Sequence, residues 1–167
     1  NNLDKKTRID EIPVIRIYGK LFYPILFCIN ALVFLLKNGK RYDIIHIHTA
    51  YSPVIIGSIV NFLLKKPVLV KIPSKKQIEH ISNSRVRLFF LKNFISHFIA
   101  INHEIKNSLN RIGINPENII YLPNGVEVKG YNVKNIINKN EFSALFVGRL
   151  EKVKNLSYLL KNWKEFS

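Results

Sequence analysis

Arg149 and Lys154 bracket the place where an apolar run at 144–147 gives way, through Gly148, to a helical pattern. The first turn of a helix already favours an anion, because its N–H groups are free and the dipole presents its positive end there. A guanidinium fork and an ammonium added at that point make a clamp for a diphosphate. The plainer reading of the same spacing is two solvated cations on a basic chain. His46 and His48 alternate onto one face of another apolar run, a spacing that could supply two metal ligands. No third ligand stands beside them, so no metal site is expected. His46 is read as a structural or hydrogen-bonding residue, and His48 as one that faces a ligand.

Such residues need a scaffold that brings its strand ends together. Short β-branched runs recur at 14–18, 44–48, 68–72, 98–101, 119–122 and 144–147, and most of the intervals between them carry helical patterns. Alternation of this kind argues for parallel βαβ units, so the fold class is α/β. In open parallel sheets, ligands bind in the crevice beyond the carboxyl ends of the strands. Those ends carry His48-Thr49, Lys71 followed by Pro73-Ser74, Asn102-His103-Glu104, Asn124-Gly125 and Gly148-Arg149. His48, Lys71, Ser74, Asn102, Asn124 and Gly125 are therefore the cleft candidates, against the bland account that strand ends are simply wet.

The helices carry their own punctuation. Ser52-Pro53 reads as an N-cap and first helical residue, with Lys65-Lys66 in the last turn opposing the dipole. Asn102 is placed to cap a helix whose apolar face is Ile105, Leu109 and Ile112 and whose stop signal is Gly113. A last helix presents Leu156, Leu159, Leu160 and Trp163. The polar, weakly periodic stretch from about Glu127 to Glu141 reads as a connector, which puts one domain at 1–125, the connector at 126–141 and the opening of a second domain at 142–167. The chain starts at Asn1, has no Met and stops at Ser167 directly after a helical pattern, so both ends look cut and an interior fragment is expected.

With 167 residues and 47% apolar content, the chain can bury one respectable core. Its formal charge of +15 suits an acidic partner without choosing among phosphate, nucleic acid and an anionic membrane, and the Lys, Asn and Ile bias accounts for part of it without any function. A single cysteine, Cys28, cannot form an internal disulfide and fits a reducing compartment. The apolar segment 21–36 falls short of the roughly 20 residues a membrane span needs and contains Pro24 and Asn30, so a buried helix is expected there.

Four segments together resemble a known family. Tyr42-Asp43-Ile44-Ile45-His46-Ile47-His48, Phe98-Ile99-Ala100-Ile101-Asn102, Leu122-Pro123-Asn124-Gly125-Val126-Glu127 and Phe146-Val147-Gly148-Arg149-Leu150 with Lys154 are similar, in order and spacing, to the group 1 (family 4) glycosyltransferases of GT-B fold. The resemblance implies an incomplete Rossmann-like acceptor domain, a parallel sheet flanked by helices, followed by the first βα unit of a second Rossmann-like domain that holds a nucleotide-sugar. It implies that Arg149 and Lys154 grip the donor diphosphate and stabilise the departing nucleotide, with retention of configuration and without a metal or a cofactor; the nucleotide-sugar is a substrate. The implied donor is a UDP- or GDP-sugar and the implied acceptor a glycan or a lipid-linked glycan in surface polysaccharide synthesis. The setting that follows is cytoplasmic, with peripheral contact at the anionic inner membrane face.

Several features depart from the family pattern. The glycine-rich loop is expected before residue 1 and the paired-glutamate segment beyond Ser167, so no catalytic residue is assigned. Many members carry His where this chain has Pro73-Ser74, and many carry Gly where it has Asn155. The competing classes are a basic nucleic-acid-binding module, for which no recognition signature appears and no nucleic-acid partner is expected, and a non-catalytic homologue.

Overall fold

The parallel sheet arises where β-branched runs meet helices that can cover them. The computed structural model describes residues 5–17, 25–127 and 145–163. It falls into two compact units, Asn1–Val126 and Glu127–Ser167. In the first unit, β1 (Lys6–Ile9) and β2 (Ile12–Ile15) form a hairpin, followed by α1 (Ile25–Lys37), β3 (Ile45–Ile47), α2 (Ser52–Leu64), β4 (Val68–Ile72), α3 (Lys75–Ser82), α4 (Arg85–Phe94), β5 (His97–Ala100), α5 (His103–Arg111) and β6 (Ile119–Tyr121). The main sheet is fully parallel, with strand order β3-β4-β5-β6.

That strictly sequential order decides the layering. Crossovers of one hand that always step to the next strand place their helices on a single face of the sheet. Accordingly Val68, Val70 and Ile72 of β4, with Phe98 and Ala100 of β5, enter one core with Val54 of α2, Ile78 and Ile81 of α3, Leu91 of α4 and Ile105 and Leu109 of α5. α1 joins the layer at its edge, where Ala31 packs with Ile56 and Val60 of α2. Gly57 lets α2 settle on the sheet, since a Cβ there would come within 2.6 Å of Ile47 Cδ1 and 3.2 Å of Val68 Cγ1. By strand alternation, His46, Leu69, Lys71, His97, Ile99 and Ile120 face the other way.

The first expected strand, at 14–18, is corrected. Residues 12–15 pair antiparallel with 6–9, outside the parallel sheet, and Tyr18 lies outside the described residues. The cause is the turn: Asp10 and Glu11 both adopt positive φ, 48° and 64°, as a two-residue hairpin turn of primed type requires. Without Asn-Gly or a glycine in the turn, the hairpin gives no conventional signal.

Helix boundaries follow local chemistry. Asn102 accepts a hydrogen bond from the Ile105 N–H at 2.8 Å and caps α5, and Gly113 beyond its end takes φ +82°. At α2 the cap is Tyr51, with Ser52 the first helical residue; the helix ends one residue before Lys65, which takes the left-handed conformation at φ 53° and donates its N–H to Asn61 O. The Lys65-Lys66 pair thus lies just past the last turn. No helix among the described residues is long and apolar enough to cross a membrane; the described part of the segment 21–36 lies in α1, and its expected burial is corrected, since Ala31 alone is buried there while Ile25 and Ile29 stand more than half exposed.

Residues 145–147 form no strand and Ala144 lies outside the described residues, so the strand expected at 144–147 is not seen there. A 3-10 turn at Lys152–Lys154 leads through Asn155, at φ 53°, into α6 (Leu156–Asn162). A positive φ explains why glycine would suit position 155, and Asn is among the few other residues that tolerate it. The connector expected at 126–141 lies almost wholly outside the described residues.

Candidate functional site

Because β3 to β6 run parallel, their carboxyl ends form one edge, and the helices that leave it start there. Three ties join the loops along this edge. The side-chain carbonyl of Gln77, buried on α3, accepts the Ala50 N–H at 2.7 Å and so holds the loop that follows His48. Lys75 at the start of α3 reaches Glu104 in the first turn of α5 at 3.2 Å. His103, the first residue of α5, stacks on Tyr121 at the end of β6, with ring centroids 4.4 Å apart and planes 18° from parallel.

The structure brings some of the candidate residues together and commits others to local work. The His48 ring lies against that of His46 with centroids 4.2 Å apart and planes tilted by 35°, and Lys71 on the neighbouring strand is close enough to repel charge on His46. These three form a basic cluster on the sheet face away from the helices. Asn102 spends its side-chain oxygen as a helix cap. Ser74 precedes α3 in an extended conformation, and its side chain makes no capping bond. Asn124 and Gly125 are exposed in the segment after β6; Gly125 has no positive φ, and a Cβ there would meet nothing within 4 Å, so its backbone does not itself require glycine. Among the described residues, no group of three His, Cys, Asp or Glu gathers as a metal cage would.

In the second unit, Arg149 Nη1 lies 2.8 Å from Glu151 Oε1, and its side chain is 80% exposed. Lys154 is exposed in the 3-10 turn, with its N–H bonded to Glu151 O. A helix start was expected at Lys154; the α-helix begins two residues later, after the left-handed Asn155. A cavity of about 570 Å³ on this unit is lined by residues that include Glu151, Lys152, Asn155 and Ser157 but neither Arg149 nor Lys154.

The sequence model of Glycosyltransferase Family 4 matches residues 3–129. The chain belongs to glycosyltransferase family 4. Among solved structures, it is similar to crystal structures of Anabaena Alr3699/HepE. The one in complex with UDP-glucose shares 21% identity at a TM-score of 0.51, over 59% of this chain and 27% of that one. Those in complex with UDP and glucose, and with UDP, each share 21% identity at a TM-score of 0.50, over 57% of this chain and 26% and 27% of theirs. At this identity the likeness is one of fold, and the chain spans about a quarter of the length of those structures. No curated protein matches.

The family 4 match covers the unit that holds β3 to β6 and stops before Arg149 and Lys154. Gln77, the Lys75–Glu104 pair and the His103–Tyr121 stack were not singled out from sequence. A glutamine inside a helical pattern reads as surface, and only the tertiary fold places it beneath Ala50.

Two measurements probe this edge. Gln77→Leu leaves the buried Ala50 N–H without an acceptor, so a loss of about 1–3 kcal/mol is expected as a lower urea midpoint at unchanged slope. His46 has its pKa lowered, first by desolvation and then by the charges of His48 and Lys71. Its contribution to stability is therefore intact above the ordinary histidine value of about 6.5 and is lost as pH falls through the lowered folded-state value. His46→Gln should lose less melting temperature than the wild type on acidification through that window; equal losses would remove His46 as the cause.

Proposed function

We propose that this chain is part of a glycosyltransferase that moves a sugar from a UDP- or GDP-sugar to a glycan or lipid-linked acceptor, in surface polysaccharide synthesis on the cytoplasmic side of a membrane. In this reading, residues 1–125 are the acceptor-side domain, 142–167 open the donor domain, and Arg149 and Lys154 hold the diphosphate. The observation that carries it is the family 4 match across the unit whose parallel strands end in one polar edge. The Lys71 ammonium, beside the rings of His46 and His48, suits a substrate that bears phosphate. The Anabaena protein was crystallised with UDP-glucose, which supports a nucleotide-sugar as donor.

The 167-residue chain alone should not turn over. Catalysis needs donor and acceptor held at near-attack distance by two walls of a cleft, and the effective molarity gained that way is lost when one wall is missing. The second unit offers α6, with Leu160 65% and Leu159 39% exposed, so each forgoes part of the roughly 1.5–3 kcal/mol that full burial gives. The test supplies UDP- and GDP-sugars with lipid-linked acceptors to this chain and to a family 4 protein that contains it with a complete donor domain. Turnover is expected only for the latter. Absence of turnover by both, with no saturable binding of a nucleoside diphosphate, would end the transferase reading.

A further inference from the structure

α2 and α4 lie side by side and run the same way. The Ser58 hydroxyl lies 3.5 Å from the Phe90 carbonyl and the Asn61 side-chain amide donates to the Phe94 carbonyl at 2.8 Å, so facing residues stay 32 to 33 apart along both helices. Ser58 is fully buried, and its small side chain lets the helices close at their base. Above that line they part, leaving an apolar groove of about 330 Å³ lined by Ile59, Phe62 and Leu63 of α2 and Phe89, Phe90 and Phe94 of α4. The ring of Phe94 meets Phe62 at 5.8 Å and Phe89 at 6.1 Å, both edge-on, which fixes the walls. Phe62, Leu63 and Phe89 remain more than half exposed. Aromatic side chains held in this way at a surface mark an interaction site.

The groove has a cation at each end. Lys65, one residue past α2, sets its ammonium 5.3 Å from the centroid of the Phe62 ring. Arg85, the first residue of α4, stands exposed one helical turn before Phe89 and on the same side. Neither α2 nor α4 carries an Asp or Glu to answer these charges, and Asp43 reaches Lys66 instead, at 3.9 Å. α4 has 10 residues, which puts the two cations roughly 15 Å apart along the groove.

Shape and charge together select the occupant. A bilayer presents a broad surface that would rest on the exposed walls and leave the half-buried floor of Ile59, Phe90 and Phe94 unfilled. A second copy would set Arg85 and Lys65 against the same two cations, which opposes association. A helix, about 10 Å across with its side chains, seats between two parallel helices as a ridge in a groove. We propose that the α2–α4 groove docks an amphipathic helix of a partner protein, whose apolar face covers Phe62 and Phe89 and whose acidic residues, about ten apart, meet Arg85 and Lys65. Such docking is independent of sugar transfer, because it uses the outer side of the helix layer and none of the residues assigned to the carboxyl edge.

The test titrates the 167-residue chain into a fluorescent peptide helix of about four turns, with Leu at i, i+3, i+4 and i+7 and two Glu flanking that face about ten residues apart, read by anisotropy. Saturable binding is expected, weakening as salt is raised. A peptide with Lys in place of Glu should bind about tenfold more weakly. Lys65→Glu with Arg85→Glu should reverse that preference, so that the Lys peptide becomes the tighter ligand. Phe62→Ser with Phe89→Ser should weaken both peptides about tenfold or more. All four side chains lie on the surface, and retained far-ultraviolet circular dichroism checks folding; if the Phe pair does not fold, the charge reversal still decides. Absence of saturable binding, equal affinity for the two peptides, or wild-type behaviour of either folded variant pair would overturn the proposal. Co-sedimentation with vesicles of phosphatidylcholine and phosphatidylglycerol that the Phe pair abolishes and saturating peptide does not displace would assign the surface to a bilayer and overturn it. A concentration-dependent dimer that excludes the peptide would assign it to a second copy, with the same result.

Discussion

Arg149→Ala combined with Lys154→Ala should reduce donor use by a family 4 transferase carrying this chain by about 100-fold to 10,000-fold. Each substitution is expected to remove about 1.5–3 kcal/mol of charge-assisted bonding to a diphosphate, provided the closed cleft shields the bonds from water. In the structure Arg149 is engaged with Glu151 at 2.8 Å and mostly exposed, so under the proposed clamp the guanidinium would exchange a carboxylate for a phosphate on binding. That exchange predicts a secondary effect: Glu151→Gln should leave the guanidinium freer and lower the donor KM. Arg149→Lys should restore activity only in part, because an ammonium cannot form the planar two-pronged contact. Steady-state kinetics with varied donor decide the matter, and wild-type kcat/KM in the double variant would remove the clamp.

Phe98→Ala should cost about 3–5 kcal/mol of stability. Phe98 is 1% exposed at the middle of the parallel sheet, where β5 lies between β4 and β6, and it belongs to the core that gathers α2 through α5. The lost contacts leave a cavity that a sheet held by ladders on both sides cannot collapse to fill. Phe98→Leu keeps most of the volume and should cost less than about 1.5 kcal/mol. Against a total of roughly 5–15 kcal/mol for a domain, the alanine variant should show a large drop in urea midpoint or fail to fold at all. Equal midpoints for the two variants would mean that the sheet is not the stable centre of this unit.

The alternation of β-branched runs with helical patterns was enough to place β3, β4, β5 and β6 within a residue or two and to make them parallel, because each run is a self-contained signal and each interval is long enough for a crossover. Asn102 and Gly113 were legible for the same reason: a cap and a stop act on their own helix, through bonds and dihedrals only a few residues away. The polar strand ends were legible as a group, yet their division of labour was not. Asn102 is taken up by its helix, while His48 comes against His46 with Lys71 nearby, and that distinction depends on which strands are neighbours.

The sequence by itself determined the fold class, the family resemblance and the residue types available at the carboxyl edge, since periodicity and short motifs are local properties of the chain. Only the tertiary structure decided which groups meet. The hairpin at 6–15 turns on two positive-φ residues, Asp10 and Glu11, whose types do not announce them. Gln77 becomes an acceptor for Ala50 because α3 packs beside the β3–α2 loop, 27 residues away in sequence. The apolar groove between α2 and α4 exists because a sequential strand order puts both crossover helices on one face, so that Phe62 and Phe89 from separate helices line it together. Contacts between distant segments arise from topology, and a linear pattern of residue types does not contain them.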